Sequence, residues 1–597
     1  MPDREFRYRW EWNLRAPPEA LWDLVADTNR FNRDTGLPEV HRISIDGGRQ
    51  RLAMRVLGMT LEWDEYPFEW IRPYHYSILR RFHTGPVSEI LATADLESRP
   101  EGGTRLVYSI RAEPRNWVGT FLIPWKIGRR TRARFEETFR AYDHRLSAVP
   151  APAAPSILAP QGEARLSALE QELKAQGADP ALLERLIRLM TTGDDLTLSR
   201  IRPYVLADSW NVDRRRMLEL CLRATREGLL DARWDLLCPL CRGAKKIGKS
   251  LADLDERGHC DACDADFVAS FDRSVEVTFR PNPAVRRVEF REYCIGGPQL
   301  TPHIVSQNRV AAGGNLTVRP GLDTQAYRVR ALGVAGWVSL RVREAGRPEA
   351  SIRLDPQGWP SEEAIARPDT AIRLFNATAE EKLFIVERAE WSAQAATAAD
   401  VTTLQLFRDL FGREALRPDV RLGIESLTVL FTDLSGSTHL YRTIGDAPAF
   451  GRVMAHFDLL RSAVDAEGGS LVKTMGDAVL AVFRRPACAL RAFLAVQRAL
   501  AQRKERPSLV LKGGLHAGPV LAVNQNDRLD YFGSTVNIAS RLESLAGGSE
   551  LVLSDSAATD PEMRDILARD TLEAARFESE VRGFEGKTFS LWRIRNP

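Results

Sequence analysis

Two aspartates in the last third of the chain sit where strand-like runs end. Residues 426–433 (SLTVLFTD) read as a buried strand ending on Asp433, followed by the loop LSGST at 434–438. Residues 468–483 (GGSLVKTMGDAVLAVF) read as strand, Met-Gly-Asp turn and strand, which puts Asp477 at a hairpin tip beside a glycine. A lone carboxylate at a strand end is usually a cap or solvated. Two on adjacent strand ends, beside Gly436, Ser437 and Thr438, are what a phosphate-bound Mg2+ site needs. Further on, DRLDYFGSTVNIASRLES (527–544) sets Asp530 before a glycine turn and a helix. Asn537 and Arg541 lie four residues apart on that helix and share a face. One carboxamide and one guanidinium so placed can orient a sugar and neutralise a phosphate.

A second constellation is CPLC at 238–241, then 18 residues, then CDAC at 260–263. Two C-x-x-C knuckles at this separation match a zinc ribbon, with Cys238, Cys241, Cys260 and Cys263 as ligands. Four thiolates leave a Zn2+ ion no open position, so the site is structural. His259 reads as a bystander, and Cys221, Cys294 and Cys488 as core or incidental residues. Seven cysteines, an odd number, argue against a disulfide framework.

FTDLSGST, VKTMGDAVLAVF, GLHAGPV and DYFGSTVNIASRLE together resemble the catalytic domain of class III adenylate and guanylate cyclases, over about 424–597. The resemblance implies a ferredoxin-like α/β fold and a head-to-tail homodimer with sites at the interface. It implies Asp433, Asp477 and the Leu434 carbonyl as ligands for Mg2+ or Mn2+, two ions per site. It makes Lys473 and Asp530 the purine-selecting pair. Asn537 orients the ribose, and Arg541 stabilises the transition state. Arg582, in VRGFEG, stands where the family has a triphosphate-binding lysine, which keeps the charge but changes the geometry. One chain would supply Asp433 and Asp477, and the other Lys473, Asp530, Asn537 and Arg541. Lysine only donates and an ionised aspartate only accepts, which complements adenine N1 and N6 and reverses for guanine. ATP is the favoured substrate. Two rival readings stay open: a cyclase for GTP or a pyrimidine nucleotide, and a catalytically silent nucleotide sensor or transcription regulator.

The rest of the chain must carry and control this unit. Its 597 residues suggest several domains, and hydrophobic residues at 44% with charged ones at 27% are ordinary globular values. The net charge, 83 − 80 = +3, does not call for nucleic acid as the main partner. No transmembrane run or signal core stands out, so the simplest expectation is a soluble, cytoplasmic protein. Strands at 5–14, 49–56, 75–82, 88–97 and 104–113, a helix at 17–27 and a long final helix at 125–146 form a first unit, 1–147. Gly47-Gly48 and Gly102-Gly103 mark its turns. This pattern resembles the helix-grip fold of START and polyketide-cyclase-like domains, which implies a cavity for a lipophilic ligand.

A Pro/Ala linker (148–162) follows, then a helical, winged-helix-like segment (163–237) in which Asp179 is placed to cap a helix. Its second helix balances five arginines against three acids, a local +2, which argues against DNA reading. Next come the zinc ribbon (238–270) and a strand-rich, β-sandwich-like regulatory domain (271–395), with runs including 274–280 and 285–293. A linker helix (396–423) leads to the cyclase-like domain (424–597), whose helical region is interrupted at Pro448. The whole is a multidomain α+β protein.

Overall fold

The computed structural model describes the chain except residues 1–4, 47–48, 57, 148–157, 261–262, 264, 290, 390–393, 504–505, 569–571 and 596–597. Most of the expected Pro/Ala linker and the Gly47-Gly48 turn therefore lie outside the described residues.

The alternating run at the start forms strand Phe6–Leu14, whose inward residues Trp10, Trp12 and Leu14 are buried. It opens an antiparallel sheet that continues through Thr104–Pro114, Val87–Ser98, His75–Phe82 and Glu69–Ile71. The closing helix differs from the expected 125–146. It begins as Trp117–Ile123, widens to a π-helical stretch at Pro124–Thr131, and continues as Arg132–Ser147. Pro124, with no N–H to donate, stands where the pitch changes. Beneath the helix, Trp10, Trp12, Phe31, Tyr108, Phe135 and Phe139 interlock with ring centroids 4.8–6.5 Å apart. These rings pack against one another, and the lipophilic guest that the resemblance implies gains no support.

The sheet does not stop at the edge of this unit. Ile71 pairs with Ser306 and Trp70 with Gln307, so strand Ile304–Val310 extends it. Lys382–Arg388, Ala326–Ala331, Val338–Leu354, Ala364–Asn376 and Asn315–Val318 follow in order. Two runs expected among these strands behave otherwise. Residues 274–280 form Val275–Pro281, which pairs with Leu230–Leu237 in a separate three-stranded sheet. Val275, Val277 and Phe279 are drawn there because they bury against the helical segment's core. Residues 285–293 form no strand among those described.

Within the extended sheet Glu387 is fully buried and accepts two bonds from the equally buried Arg330, at 3.1 and 3.2 Å, and one from Arg328. Removing one partner leaves the other's charge stranded. Glu387→Ala is expected to lower stability by about 3–5 kcal/mol, read as a fall in the denaturant midpoint.

In the helical segment Asp179 caps Pro180–Thr192, accepting from the Ala181 and Leu182 amides. Helix Arg214–Glu227, the second helix of the winged-helix-like pattern, buries Met217, Leu218 and Cys221, and Arg215 pairs with Asp465 of the C-terminal domain at 2.9 Å. Helices Ala398–Thr402 and Gln405–Leu410 replace the single expected linker helix. One continuous core joins the helical segment, these two helices and one face of the C-terminal sheet, through Leu422, Val429, Leu480 and Tyr531.

The C-terminal sheet runs Ser470–Met475, Ala478–Phe483, Leu422–Ser435, Val510–Gln525, Glu550–Ser554, Thr588–Arg595, Glu573–Glu580, with Arg528–Phe532 also paired to Val510–Gln525. Ser437–Ile444, Asp446–Ala466, Pro486–Gln502 and Ser534–Ser544 are its main helices. The helical break falls at Gly445, at φ +82°, rather than at Pro448, which sits in the first turn of the second helix. Proline is tolerated there because first-turn N–H groups lack intrahelical partners.

Candidate active site and cysteine cluster

Strand Leu422–Ser435 is central, and Val429 and Leu430 are buried on opposite faces. Its register sets the acidic pair. Thr432 lies opposite Val479, which brings Asp433 level with the tip of the neighbouring hairpin. Met475 pairs with Ala478, leaving Gly476 and Asp477 as the turn, and Gly476 takes φ +67°, a conformation that favours glycine. Asp477 thus lies at a hairpin tip as expected, while the strand expected to end on Asp433 runs on to Ser435 because Leu434 and Ser435 still pair with Leu511 and Val510.

Their surroundings differ. Lys512, directly across from Asp433, approaches it at 3.2 Å and also meets Glu543 at 2.7 Å. Burial works against the Lys512 charge, but the two acids more than offset it and hold its pKa above the usual lysine value. Asp477 has no such cation. Its Oδ2 is buried and has no hydrogen-bond partner among the described residues. Nearby His456 is fully buried, and burial pushes its pKa down to about 4, so it is neutral at pH 7. An orphaned carboxylate oxygen is costly unless something outside the chain completes it. Asp477 beside Asp433 therefore fits a hard divalent cation, which oxygen donors suit.

Lys473 and Asp530 meet directly. Nζ donates to Oδ2 at 2.6 Å, and Asp530 Oδ1 accepts from the Tyr531 amide. Arg408 ties down both strands that carry the pair, donating to Ser470 Oγ and to the Leu529 carbonyl, each at 3.0 Å. Asn537 and Arg541 project from helix Ser534–Ser544 to the exterior, and their side chains make no hydrogen bond or ion pair among the described residues. That helix is pressed onto the sheet at Gly514, where an added Cβ would lie 2.1 Å from the Glu543 amide and 2.3 Å from the Ala539 carbonyl. Gly436, at φ +76°, precedes the first turn of Ser437–Ile444, which begins with Ser437 and Thr438. Arg582 is exposed in the turn beyond edge strand Glu573–Glu580, at the far end of the sheet from the Lys473 strand. Lys512, His456 and Arg408 were not singled out from sequence. Lys512 stands next to GGLHAGPV, but a lysine in a strand gives no local sign of its partner.

The cysteines converge as well. Cys238 and Cys241 lie between strands Leu230–Leu237 and Ala244–Gly248, and Cys260 and Cys263 at the hairpin of Arg257–Cys260 with Ala265–Val268. Their four Sγ atoms lie within 4.8 Å of one another, and none is in a disulfide. Thiol hydrogen bonds, from Cys241 to Cys238 and from Cys238 to Cys260, pull both thiols down toward thiolate. Burial opposes the charge on neighbouring Lys245, but Cys241 and Cys260 raise its pKa nonetheless. A compact four-sulfur set with a compensating lysine fits a tetrahedral soft-ligand ion. His259 pairs instead with Asp266 at 2.9 Å. The first knuckle rests on the extended sheet, where the Pro239 carbonyl accepts from Arg328 and the Leu240 carbonyl bonds His303.

Residues 422–591 match the family model for the adenylate and guanylate cyclase catalytic domain, and residues 163–293 match a family of unknown function, DUF5939. An adenylate cyclase of Lachancea kluyveri is 30% identical over 162 residues, covering 23% of this chain and 9% of that protein. An uncharacterised protein of Mycobacterium tuberculosis is 33% identical over 162 residues, covering 26% of this chain and 39% of that one. The aligned part spans between 9% and 39% of the length of these relatives. Among solved structures, the adenylyl cyclase CyaB from P. aeruginosa is 20% identical, with 30% of this chain and 97% of that chain covered and a TM-score of 0.26. The C-terminal domain is an adenylate/guanylate cyclase catalytic domain of ferredoxin-like type, within a multidomain α+β chain. No helix among the described residues is long and apolar enough to cross a membrane.

Proposed function

We propose that this chain converts ATP to 3′,5′-cyclic AMP and pyrophosphate, in sites that a second copy of the chain completes. The observation that carries the reading is the Asn537–Arg541 helix face. Both residues are exposed and unengaged, on the same domain that holds the acidic pair and the closed Lys473–Asp530 pair. A guanidinium facing water has little leverage on a reaction, and one covered by a partner has much more. Exposed apolar side chains favour such a cover. Leu521 and Phe532 lie directly opposite each other on neighbouring strands, Met475 is also exposed, and Lys473 Nζ stands 5.6 Å from the Phe532 ring centroid.

In the reaction the ribose 3′-hydroxyl loses its proton and its oxygen bonds the α-phosphorus as the bond to pyrophosphate breaks. Asp433 and Asp477, with the Leu434 carbonyl, would hold Mg2+ or Mn2+, whose chemistry is to activate the hydroxyl and neutralise the polyphosphate. Arg541 meets the charge that develops on the phosphoryl oxygens, and Asn537 fixes the ribose. Gly436, Ser437, Thr438 and Arg582 are assigned to the polyphosphate. Lys473 donates to adenine N1 while Asp530 accepts from N6. The four thiolates are assigned a structural Zn2+. The upstream units are assigned a regulatory role, reaching helix Asp446–Ala466 through Arg215–Asp465 and the strands that carry Lys473 and Asp530 through Arg408.

Offered ATP, GTP, CTP and UTP together with Mg2+ or Mn2+, the purified chain is expected to yield chiefly cyclic AMP by mass spectrometry. Cyclic GMP in excess would overturn the substrate assignment, and no cyclic product from any nucleotide would overturn the function. Lys473→Glu with Asp530→Cys is expected to lower ATP turnover by about tenfold or more, since each unpaired polar group costs about 1–3 kcal/mol. The unfolding midpoint should move far less, because the exposed end of the pair is solvated. ATP preference kept at its original margin would show that these residues do not read the base.

A further inference from the structure

We propose that residues 117–132 form an interfacial anchor that seats the N-terminal domain on an anionic lipid surface. Trp117, Phe121 and Trp125 recur every four residues, and they are 69%, 74% and 59% exposed. Gly119 and Ile123 turn inward, so the segment is pinned to its own domain by small or aliphatic residues while its largest rings face out. A Cβ at Gly119 would lie 2.1 Å from the Pro86 carbonyl, a close approach that holds the helix with this face outward. A water-facing row of three large aromatic rings stands apart from the rings of the same domain that interlock in its core.

The charges beside the row identify what covers it. Lys126, Arg129, Arg130 and Arg132 are exposed and make no hydrogen bond or ion pair through their side chains among the described residues. No acidic residue occurs between Glu113 and Glu136. The widened turn at Pro124–Thr131 carries three of these cations immediately after the last tryptophan. An apolar aromatic row next to uncompensated cations complements a lipid headgroup layer. The rings settle at the acyl boundary, and lysine and arginine reach anionic headgroups. The segment lies outside the catalytic domain, so this binding would place the enzyme without altering its chemistry.

The test is co-sedimentation of the full-length chain with vesicles of phosphatidylglycerol and phosphatidylcholine, against vesicles of phosphatidylcholine alone. The expected result is binding to the anionic vesicles only, weakened by added salt. W117A/F121A/W125A and, separately, K126E/R129E/R130E/R132E should each lower partitioning by about tenfold or more. Both variants alter exposed side chains, so the unfolding midpoint and the oligomeric state should stay as in the unaltered chain. Failure of the unaltered chain to bind anionic vesicles would overturn the proposal, as would variants that bind undiminished. A change of oligomeric state in the aromatic variant, with no vesicle binding by the unaltered chain, would assign the row to a protein contact instead.

Discussion

Asp477→Ala is expected to abolish cyclase turnover, by about a hundredfold or more, while leaving the unfolding midpoint unchanged or slightly raised. The two halves of this result have one cause. Asp477 Oδ2 is buried at a hairpin tip and no described group donates to it. In the free chain that oxygen is a cost, and deleting it removes a desolvation penalty of about 1–3 kcal/mol. In the working site the same oxygen would hold the cation, so deleting it removes a ligand. Arg541→Ala is expected to show a comparable loss, about a hundredfold to a thousandfold as for a lost transition-state donor. It should be equally silent in stability, since the Arg541 side chain has no partner to lose among the described residues. Asp433→Ala should differ in one respect, because it removes one of the two acids that Lys512 shares and leaves it Glu543 alone. A midpoint that falls with Asp433→Ala but not with Asp477→Ala, measured by thermal unfolding, would separate the two roles.

Loss of the Zn2+ proposed for the four cysteines is expected to have the largest structural effect in the molecule. Cys238→Ser or Cys263→Ser, or strong chelation, should unfold or misassemble the central region while leaving every proposed catalytic residue in place. The binding energy of such a site is folding energy, on the order of 10 kcal/mol or more. The consequences should spread because the first knuckle supports its neighbours. Arg328 and His303 both bond its carbonyls, and Arg328 belongs to the buried Glu387 cluster. Elemental analysis should find one zinc per chain, and limited proteolysis should locate new cuts first within 230–281. A purified, folded chain without zinc would refute the assignment.

What the sequence made legible follows its local signals. Asp433 and Asp477 were placed by strand-then-turn patterns, and the register of Thr432 with Val479 puts them side by side. Asn537 and Arg541 needed only the helical repeat. Lys473 and Asp530, 57 residues apart, came from resemblance alone, and they meet at 2.6 Å. The features that escaped depend on distant partners. Nothing near Glu69–Ile71 marks it as the strand that joins the first sheet to Ile304–Val310. The run at 274–280 reads as a strand and forms one at Val275–Pro281, but in another sheet, because the burial of Val275, Val277 and Phe279 is against helices earlier in the chain. His456 looked like any helical histidine, and Arg408 like any arginine in a linker. The lipophilic cavity of the first domain came from resemblance alone and gains no support, and the aromatic residues beneath the closing helix pack against one another.

In the proposed symmetric dimer each chain carries two incomplete halves, Asp433 with Asp477 and Lys473, Asp530, Asn537 with Arg541, which complete each other across the interface. Mixing Asp477→Ala chains with Arg541→Ala chains, each nearly inactive alone, tests it most directly. A mixed dimer would hold one intact site and one carrying both lesions. With random pairing half of the dimers are mixed, so cyclic AMP formation should recover to roughly a quarter of the unaltered rate. A mixture no more active than its components, with subunit exchange verified by differently tagged chains, would mean that each site is built within one chain.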